Sequence, residues 1–550
     1  MRRLGLLTIA LAAGLSGCTT RVAQAPGPDR SIVTVEGGRL SGAPVAGADG
    51  VWSYKGIPFA APPVGRLRWR PPQPVAKWEG VRDATSFAPA CMQVHRGGDG
   101  FMTEIIAFYG LNIDRTSEDC LYLNVWSAAQ PGAPAPVMVW IHGGGLTAGH
   151  GGEATYDGTS LAKRGVVVIT INYRLGPLGY LAHSLLSAES EQHASGNYGT
   201  LDQIAALKWV QQNAAAFGGD PGRVTIFGES AGSWSVNHLV ASPLAKGLFH
   251  RAIGQSGGGF GSFGTAYPKQ EMEAAGEAFA QALLGRNEPL TLEGLRAKTA
   301  AEVMAVPATI GRSSANVDGW VFPDTIYNIF SAGRQNKVPV IVGSNADEGA
   351  SLGAGGPVPI TLAAYRKAAR ETYGDLANRF LAVYPASNDV EALQGRIQSY
   401  TDQSFGWEMR TWARMMENVD SKAYLYFFSR VPPAPDGKQF GAFHAAEIIY
   451  VFENLGKSPN PYANRAYDDT DRGLSRLMAS YWVNFATNGD PNGPGLPPWP
   501  AYTTKSDEAL EFGDTVKVRA GIRKDRLDFT DRVYESRRRP DAGRRTSTGS

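Results

Sequence analysis

Five apolar, largely β-branched or aromatic runs punctuate the chain: Val137–Ile141, Val166–Ile171, Val224–Phe227, Val338–Val342 and Ala423–Phe428. Short uninterrupted runs of this kind are what strands covered on both faces require. The stretch from Leu201 to Ala216 predicts a helix between the second and third runs, and Ala231 to Val240 predicts another directly after the third. Strands alternating with helices point to an α/β fold with a mostly parallel sheet, whose site lies at the strands' carboxyl ends. The β-prone runs Ile32–Val35 and Val51–Tyr54 predict antiparallel strands at a sheet edge, and the proline-rich segment Pro58–Pro74 predicts extended coil. Residues 262–330 and 357–420 read as largely helical insertions placed to cover the site.

At 550 residues and 43% hydrophobic content the chain can bury a large core as one enlarged domain. Its 53 basic and 51 acidic residues nearly balance, so no nucleic-acid partner is implied. The N-terminus modifies this picture. Arg2-Arg3 followed by the apolar stretch Leu4–Leu15 has the form of an export signal, too short to span a bilayer as a stable helix. Its end, Leu15-Ser16-Gly17-Cys18, is similar to a bacterial lipobox, which predicts lipidation of Cys18 and membrane attachment facing the periplasm or cell surface; cleavage after Ala23-Gln24-Ala25 is the competing reading. The expected organisation is a signal peptide over 1–18, a Pro/Gly-rich tether over 19–31, one folded domain over 32–535, and a basic solvated tail over 536–550. With Cys18 lipidated, Cys91 and Cys120 remain as a candidate pair for an oxidising compartment. No cysteine or histidine spacing suggests zinc.

The chemistry centres on Gly228-Glu229-Ser230-Ala231-Gly232, which separates a predicted strand from a predicted helix. A serine on such a strand-to-helix turn is held up at the strand's end, with glycines two residues either side leaving room for the turn. With 66 glycines the pattern alone is weak, and Gly254-Gln255-Ser256-Gly257-Gly258 also fits it. The second match runs into Gly259-Phe260-Gly261-Ser262-Phe263-Gly264, too glycine-rich to start a helix, so Ser230 is the expected nucleophile. The same glycine-rich segment spells a dinucleotide fingerprint, but neither a proper preceding strand nor a helix opening within it is foreseen.

A serine hydroxyl needs a base, and the base needs a carboxylate to orient it. In chain order Ser, acid, His, only His238, His250 and His444 follow Ser230, and the first two leave little chain for an intervening strand and acid loop. His444 is the base by elimination. The acid should follow the strand Val338–Val342, where Asp347 and Glu348 compete and order alone does not choose. Trp140-Ile141-His142-Gly143-Gly144-Gly145 supplies a strand followed by unobstructed backbone amides, which with the Ala231 amide would form an oxyanion hole. Trp234 reads equally as acyl-pocket lining or as core.

Further blocks carry a resemblance: Tyr54-Lys55-Gly56-Ile57-Pro58-Phe59-Ala60, Pro62-Pro63-Val64-Gly65, Ser117-Glu118-Asp119-Cys120-Leu121-Tyr122-Leu123-Asn124-Val125, Gly196-Asn197-Tyr198-Gly199 and Phe217-Gly218-Gly219-Asp220-Pro221. With these blocks the chain resembles the type-B carboxylesterases and cholinesterase-like proteins of the α/β-hydrolase superfamily from about residue 32 to 515. The resemblance implies the α/β-hydrolase fold, a large mostly parallel twisted sheet flanked by helices, with helical insertions over the active site. It implies a triad of Ser230, Glu348 and His444, oxyanion donors at Gly144, Gly145 and Ala231, a Cys91–Cys120 bridge and a structural Arg68–Glu118 ion pair. It implies hydrolysis of small-molecule carboxylic esters through an acyl-enzyme, without metal or organic cofactor. The alternatives are an inactive cholinesterase-like binding or adhesion protein and a specialised esterase for bulky or polyester substrates. A cholinesterase proper is disfavoured, because Met92–Asp119 lacks the tryptophan that such enzymes carry in this loop. Ala128 and Ala445 stand where the family commonly has proline and glycine, departures that bear on the local backbone.

Overall fold

The computed structural model describes residues 30–93, 113, 115–129, 133–261, 263–285, 287–352, 359–433, 440–457 and 466–538. All five apolar runs form strands of one eleven-stranded sheet. In chain order its strands are β1 (Ala43–Pro44), β2 (Trp52–Pro58), β3 (Tyr122–Ser127), β4 (Ala135–Ile141), β5 (Val167–Ile171), β6 (Gly219–Glu229), β7 (Arg251–Gln255), β8 (Val340–Asn345), β9 (Ala423–Phe428), β10 (Glu508–Phe512) and β11 (Val516–Ala520). They lie side by side in the order β11-β10-β9-β8-β7-β6-β4-β5-β3-β2-β1. Pairing is parallel from β5 through β10, and antiparallel at both ends.

Side-chain alternation sorts the apolar residues onto two faces. Val137, Val139, Ile141, Ile169 and Ile226 pack on one, against helices α1 (Tyr198–Asn213) and α2 (Ala231–Ala241). Met138, Trp140, Val168 and Phe227 pack on the other, against Met478, Tyr481, Trp482 and Phe485, which lie on the helix 469–488. Each such side chain contributes on the order of 1.5–3 kcal/mol by leaving water, and covering both faces is why these strands carry no polar stripe. The described part of the 357–420 insertion is largely helical as expected, and its Tyr365, Phe380 and Tyr384 form a separate small core with Phe529 and Val533 of the C-terminal helix, α3 (Lys524–Arg538).

Several expectations need correction. Ile32–Val35 is not at the edge of the main sheet: the two-residue turn Glu36-Gly37 folds it back on Gly38–Ser41, and these two strands join Val81–Asp83 in a separate sheet. A strand does precede the glycine-rich segment. It is β7, at the sheet's centre, hidden in sequence because Arg251-Ala252-Ile253-Gly254-Gln255 holds one β-branched residue. The dinucleotide reading still fails, since the next helix begins only at Lys269. The domain also extends beyond 32–535. Arg30 donates to the carbonyl and hydroxyl of Ser127. Arg538, expected in a solvated tail, donates to the Phe260 carbonyl at 2.6 Å and lies over the Tyr327 ring. A guanidinium stacked on aromatic faces is held in place rather than solvated. Residues 1–29, with Cys18 and the expected signal and tether, and 539–550 lie outside the described residues.

Cys91 and Cys120 are disulfide-bonded. Closing a loop of this length contributes roughly 3 to 4 kcal/mol in the loop-entropy model. Beside it, Arg68 and Glu118 form the expected ion pair, with two hydrogen bonds of 2.7 and 2.6 Å.

Candidate functional site

Strand β6 ends at Glu229 and α2 begins at Ala231, so Ser230 is the whole of the turn between them, with φ 56° and ψ −123°. A non-glycine residue held there costs of order 1–3 kcal/mol, sustained only because its surroundings fix it. They do: the Ser230 amide donates to the Gln255 carbonyl on β7, and a Cβ on Gly232 would lie 2.0 Å from the Ile141 carbonyl oxygen of β4. Only glycine lets α2 start this close to the sheet. Ser256 also has positive φ, 55°, but its side chain is fully buried and no helix follows it.

The two competing carboxylates after β8 have different partners. Glu348, fully buried, places Oε2 at 2.5 Å from His444 Nδ1, while its Oε1 accepts from the Asn345 amide at 2.7 Å. Asp347 instead accepts from the Ala442 amide at 2.9 Å and braces the loop that carries His444. That loop contains Ala445 at φ 69°, left-handed backbone at the position where the resemblance implies glycine. The alanine adopts the glycine conformation at a cost of roughly 1–2 kcal/mol.

The other face of the imidazole holds a residue that the sequence reading passed over. His444 Nε2 lies 3.2 Å from Oε1 of Glu229, the residue just before Ser230, while the Ser230 hydroxyl makes no hydrogen bond among the described residues. Ligand-free sites often show such loose nucleophile geometry. Burial disfavours the imidazolium, but the carboxylates of Glu229 and Glu348 outweigh it and push His444 up to about 9. Burial raises Glu229 well above the usual carboxylate range, offset by His444 and reinforced by Glu447, Glu348 and Glu153. Glu447, three residues beyond His444, accepts from Gln255 Nε2 at 3.0 Å and from Asn345 Nδ2 at 2.6 Å; Asn345 Nδ2 also donates to the Phe443 carbonyl. This buried network ties the ends of β7 and β8 to the histidine loop. The sequence signal for Glu229 was a carboxylate just after the run Val224–Phe227 and directly before the nucleophile. For Glu447 it was a second carboxylate one turn from the base.

The loop leaving β4 completes the arrangement. A Cβ on Gly143 would sit 3.1 Å from the Ser230 Cβ, so the loop lies directly against the nucleophile segment. Gly144 has φ 101° and would drive a Cβ to 2.2 Å from the Ala148 carbonyl oxygen, so no other residue fits there. His142 holds the loop's entry: it stacks on Tyr173, its carbonyl accepts from the Tyr173 hydroxyl at 2.8 Å, and burial pushes it down to about 3, leaving it neutral. Gly144 and Gly145 follow in this loop, and Ala231 opens α2, where first-turn amides have no intrahelical acceptor. Trp234 lies half-buried one turn along α2. A small cleft lined by Asp402, Arg410, Asp507 and Arg523 includes none of these residues, and its charges pair among themselves. It is not a rival site.

The carboxylesterase family model matches residues 29–530. Fumonisin B1 esterase of Sphingopyxis macrogoltabida is 38% identical over 484 residues, 87% of this chain and 86% of that protein. The medium-chain fatty acyl-CoA hydrolase precursor of Anas platyrhynchos is 36% identical over 568 residues, covering 97% and 98%. Para-nitrobenzyl esterase of Bacillus subtilis (strain 168) is 35% identical over 499 residues, covering 88% and 96%. A solved PNB esterase structure superposes with TM-score 0.78 at 32% identity, covering 91% of this chain and 99% of that one.

Proposed function

This chain belongs to the carboxylesterase family and is a carboxylic ester hydrolase, and we propose that Ser230 is its nucleophile, His444 its general base and acid, and Glu348 the carboxylate that orients His444. The observation that carries this reading is the 2.5 Å contact from Glu348 Oε2 to His444 Nδ1, which holds a proton on Nδ1 and turns Nε2 toward the nucleophile turn, where the neutral ring can accept another. Ser230 Oγ bonds to the ester carbonyl carbon as its proton passes to His444 Nε2. The carbonyl electrons collect on oxygen, facing the amides of Gly144, Gly145 and Ala231; losing one such donor typically costs about 2.7 to 4 kcal/mol of transition-state stabilisation. The bond to the alcohol breaks, and the alcohol leaves with the proton from Nε2. Water then repeats the sequence on the acyl-enzyme, releasing the acid and restoring Ser230. The test is saturable hydrolysis of p-nitrophenyl acetate and butyrate by the wild type, absent from Ser230→Ala.

His444 must be neutral to accept the proton. An unperturbed imidazole would bring activity up through pH 6 to 7, but the neighbouring carboxylates raise His444, so the limb of kcat/KM moves upward, toward 9. Glu229→Gln removes one of the raising charges, and the limb is expected to shift back toward neutral pH. An unchanged limb in Glu229→Gln would count against this account.

Export with lipidation of Cys18 is part of the same proposal. The motif Leu15-Ser16-Gly17-Cys18 and the Cys91–Cys120 bridge, which persists in oxidising compartments, support it. Among the described residues no helix is long and apolar enough to cross a membrane. Fractionation of the expressing cells should place the wild type with membranes and Cys18→Ser in the soluble fraction; a soluble wild type would exclude the anchor.

A further inference from the structure

The relatives named above act, by their names, on dissimilar esters, so family membership does not set the acyl preference of this chain. A row of aromatic rings leads from the nucleophile's helix to the base. Trp234, whose amide donates to the Ser230 carbonyl one turn back, is closed in from behind: a Cβ on Gly257 would lie 2.9 Å from its ring, and one on Gly264 2.5 Å. On it stacks Phe263, nearly parallel at 4° with centroids 6.4 Å apart. Phe263 meets Tyr400 at 6.1 Å, Tyr400 meets Phe405 at 6.1 Å, and Phe405 meets the His444 ring at 4.9 Å.

Two features single out the Trp234 end. Its indole Nε1 is buried with no hydrogen-bond partner, although an unmade buried hydrogen bond costs about 1–3 kcal/mol, so the ring serves as shape and apolar surface. Phe263 leaves 40% of its surface exposed beside the nucleophile's helix, where an apolar ring gains by being covered. From Trp234 to Phe405 the row carries no charge, and burial pushes the Tyr400 hydroxyl up to about 12. The proposed mechanism supplies a direction. His444 passes its proton to the departing alcohol, so the alcohol lies at the Phe405 end, while the acyl group bonded to Ser230 lies at the Trp234 end.

We propose that Trp234 and Phe263 form the acyl-binding wall, that it takes apolar, uncharged acyl groups, and that the Trp234 indole limits their length. The inference rests on Ser230 being the nucleophile. Holding the leaving group constant isolates the acyl side, so the test compares p-nitrophenyl acetate, butyrate, octanoate and hemisuccinate. Wild type should disfavour the charged hemisuccinate at least 100-fold in kcat/KM relative to butyrate. In Trp234→Ala the octanoate-to-acetate ratio of kcat/KM should rise at least tenfold, with Trp234→Phe between the two. A ratio that stays constant or falls in Trp234→Phe and Trp234→Ala, or a wild type indifferent to the hemisuccinate charge, would overturn the wall. Fluorophosphonate labelling of the same samples separates the two failures: Ser230 labelled in every variant with an unmoved ratio rejects the wall alone, whereas no label on Ser230 rejects the nucleophile.

Discussion

Ser230→Ala is expected to lower kcat for p-nitrophenyl butyrate on the order of a million-fold, the scale seen when a serine hydrolase loses its nucleophile. The substitution removes one oxygen that makes no hydrogen bond among the described residues, and it leaves the strained turn otherwise intact. Stability should therefore change little, because alanine keeps the Cβ that the strained turn already accommodates. The double variant Ser230→Ala with His444→Ala should be no slower than Ser230→Ala alone, because residues that act as a unit are not additive. Kinetics with thermal melts check both points; a Ser230→Ala protein that retains more than a thousandth of wild-type kcat would require another nucleophile.

Glu348→Gln is expected to lower kcat about ten-thousand-fold, the effect of replacing a triad carboxylate by its amide, which favours the wrong imidazole tautomer. The Glu348 carboxylate accepts from His444 Nδ1 on one oxygen and from the Asn345 amide on the other. An amide can keep only one of these as an acceptor, and its NH2 would face a donor. Asp347→Asn provides the contrast. The acceptor role of Asp347 toward the Ala442 amide is kept by the Asn oxygen, so kcat should fall less than tenfold. Steady-state kinetics at saturating ester decide it, and equal losses in the two variants would remove the distinction that the geometry draws between adjacent carboxylates.

That distinction shows what the sequence could carry. Runs such as Val137–Ile141 and Ala423–Phe428 were legible because strands covered on both faces have no alternative to apolar residues. The turn at Ser230 was legible because a strand, a glycine pair and a helix-forming stretch follow in fixed order. Asp347 and Glu348 were not separable from the residues alone, since adjacent side chains after a strand point in different directions and only the path of the chain shows which meets His444. The family resemblance pointed to Glu348. Strand β7 was hidden because its place at the sheet's centre comes from pairing with β6 and β8, not from its own composition. Arg538 read as tail because a basic run normally prefers water; three aromatic rings, Tyr327, Trp407 and Tyr534, brought together from distant segments hold it instead. Glu229 and Glu447 were visible as letters, but their role depends on the distance to an imidazole more than 200 residues away for Glu229, and on a network through Gln255 and Asn345 for Glu447.

The central claim, that Ser230 is the acyl-accepting nucleophile and Ser256 is not, is tested most directly by treating the folded protein with a fluorophosphonate and mapping the adduct by mass spectrometry. The account predicts a single modified serine, Ser230, with no adduct in Ser230→Ala and slowed labelling in His444→Ala. An adduct on Ser256, or full labelling of Ser230→Ala, would contradict it.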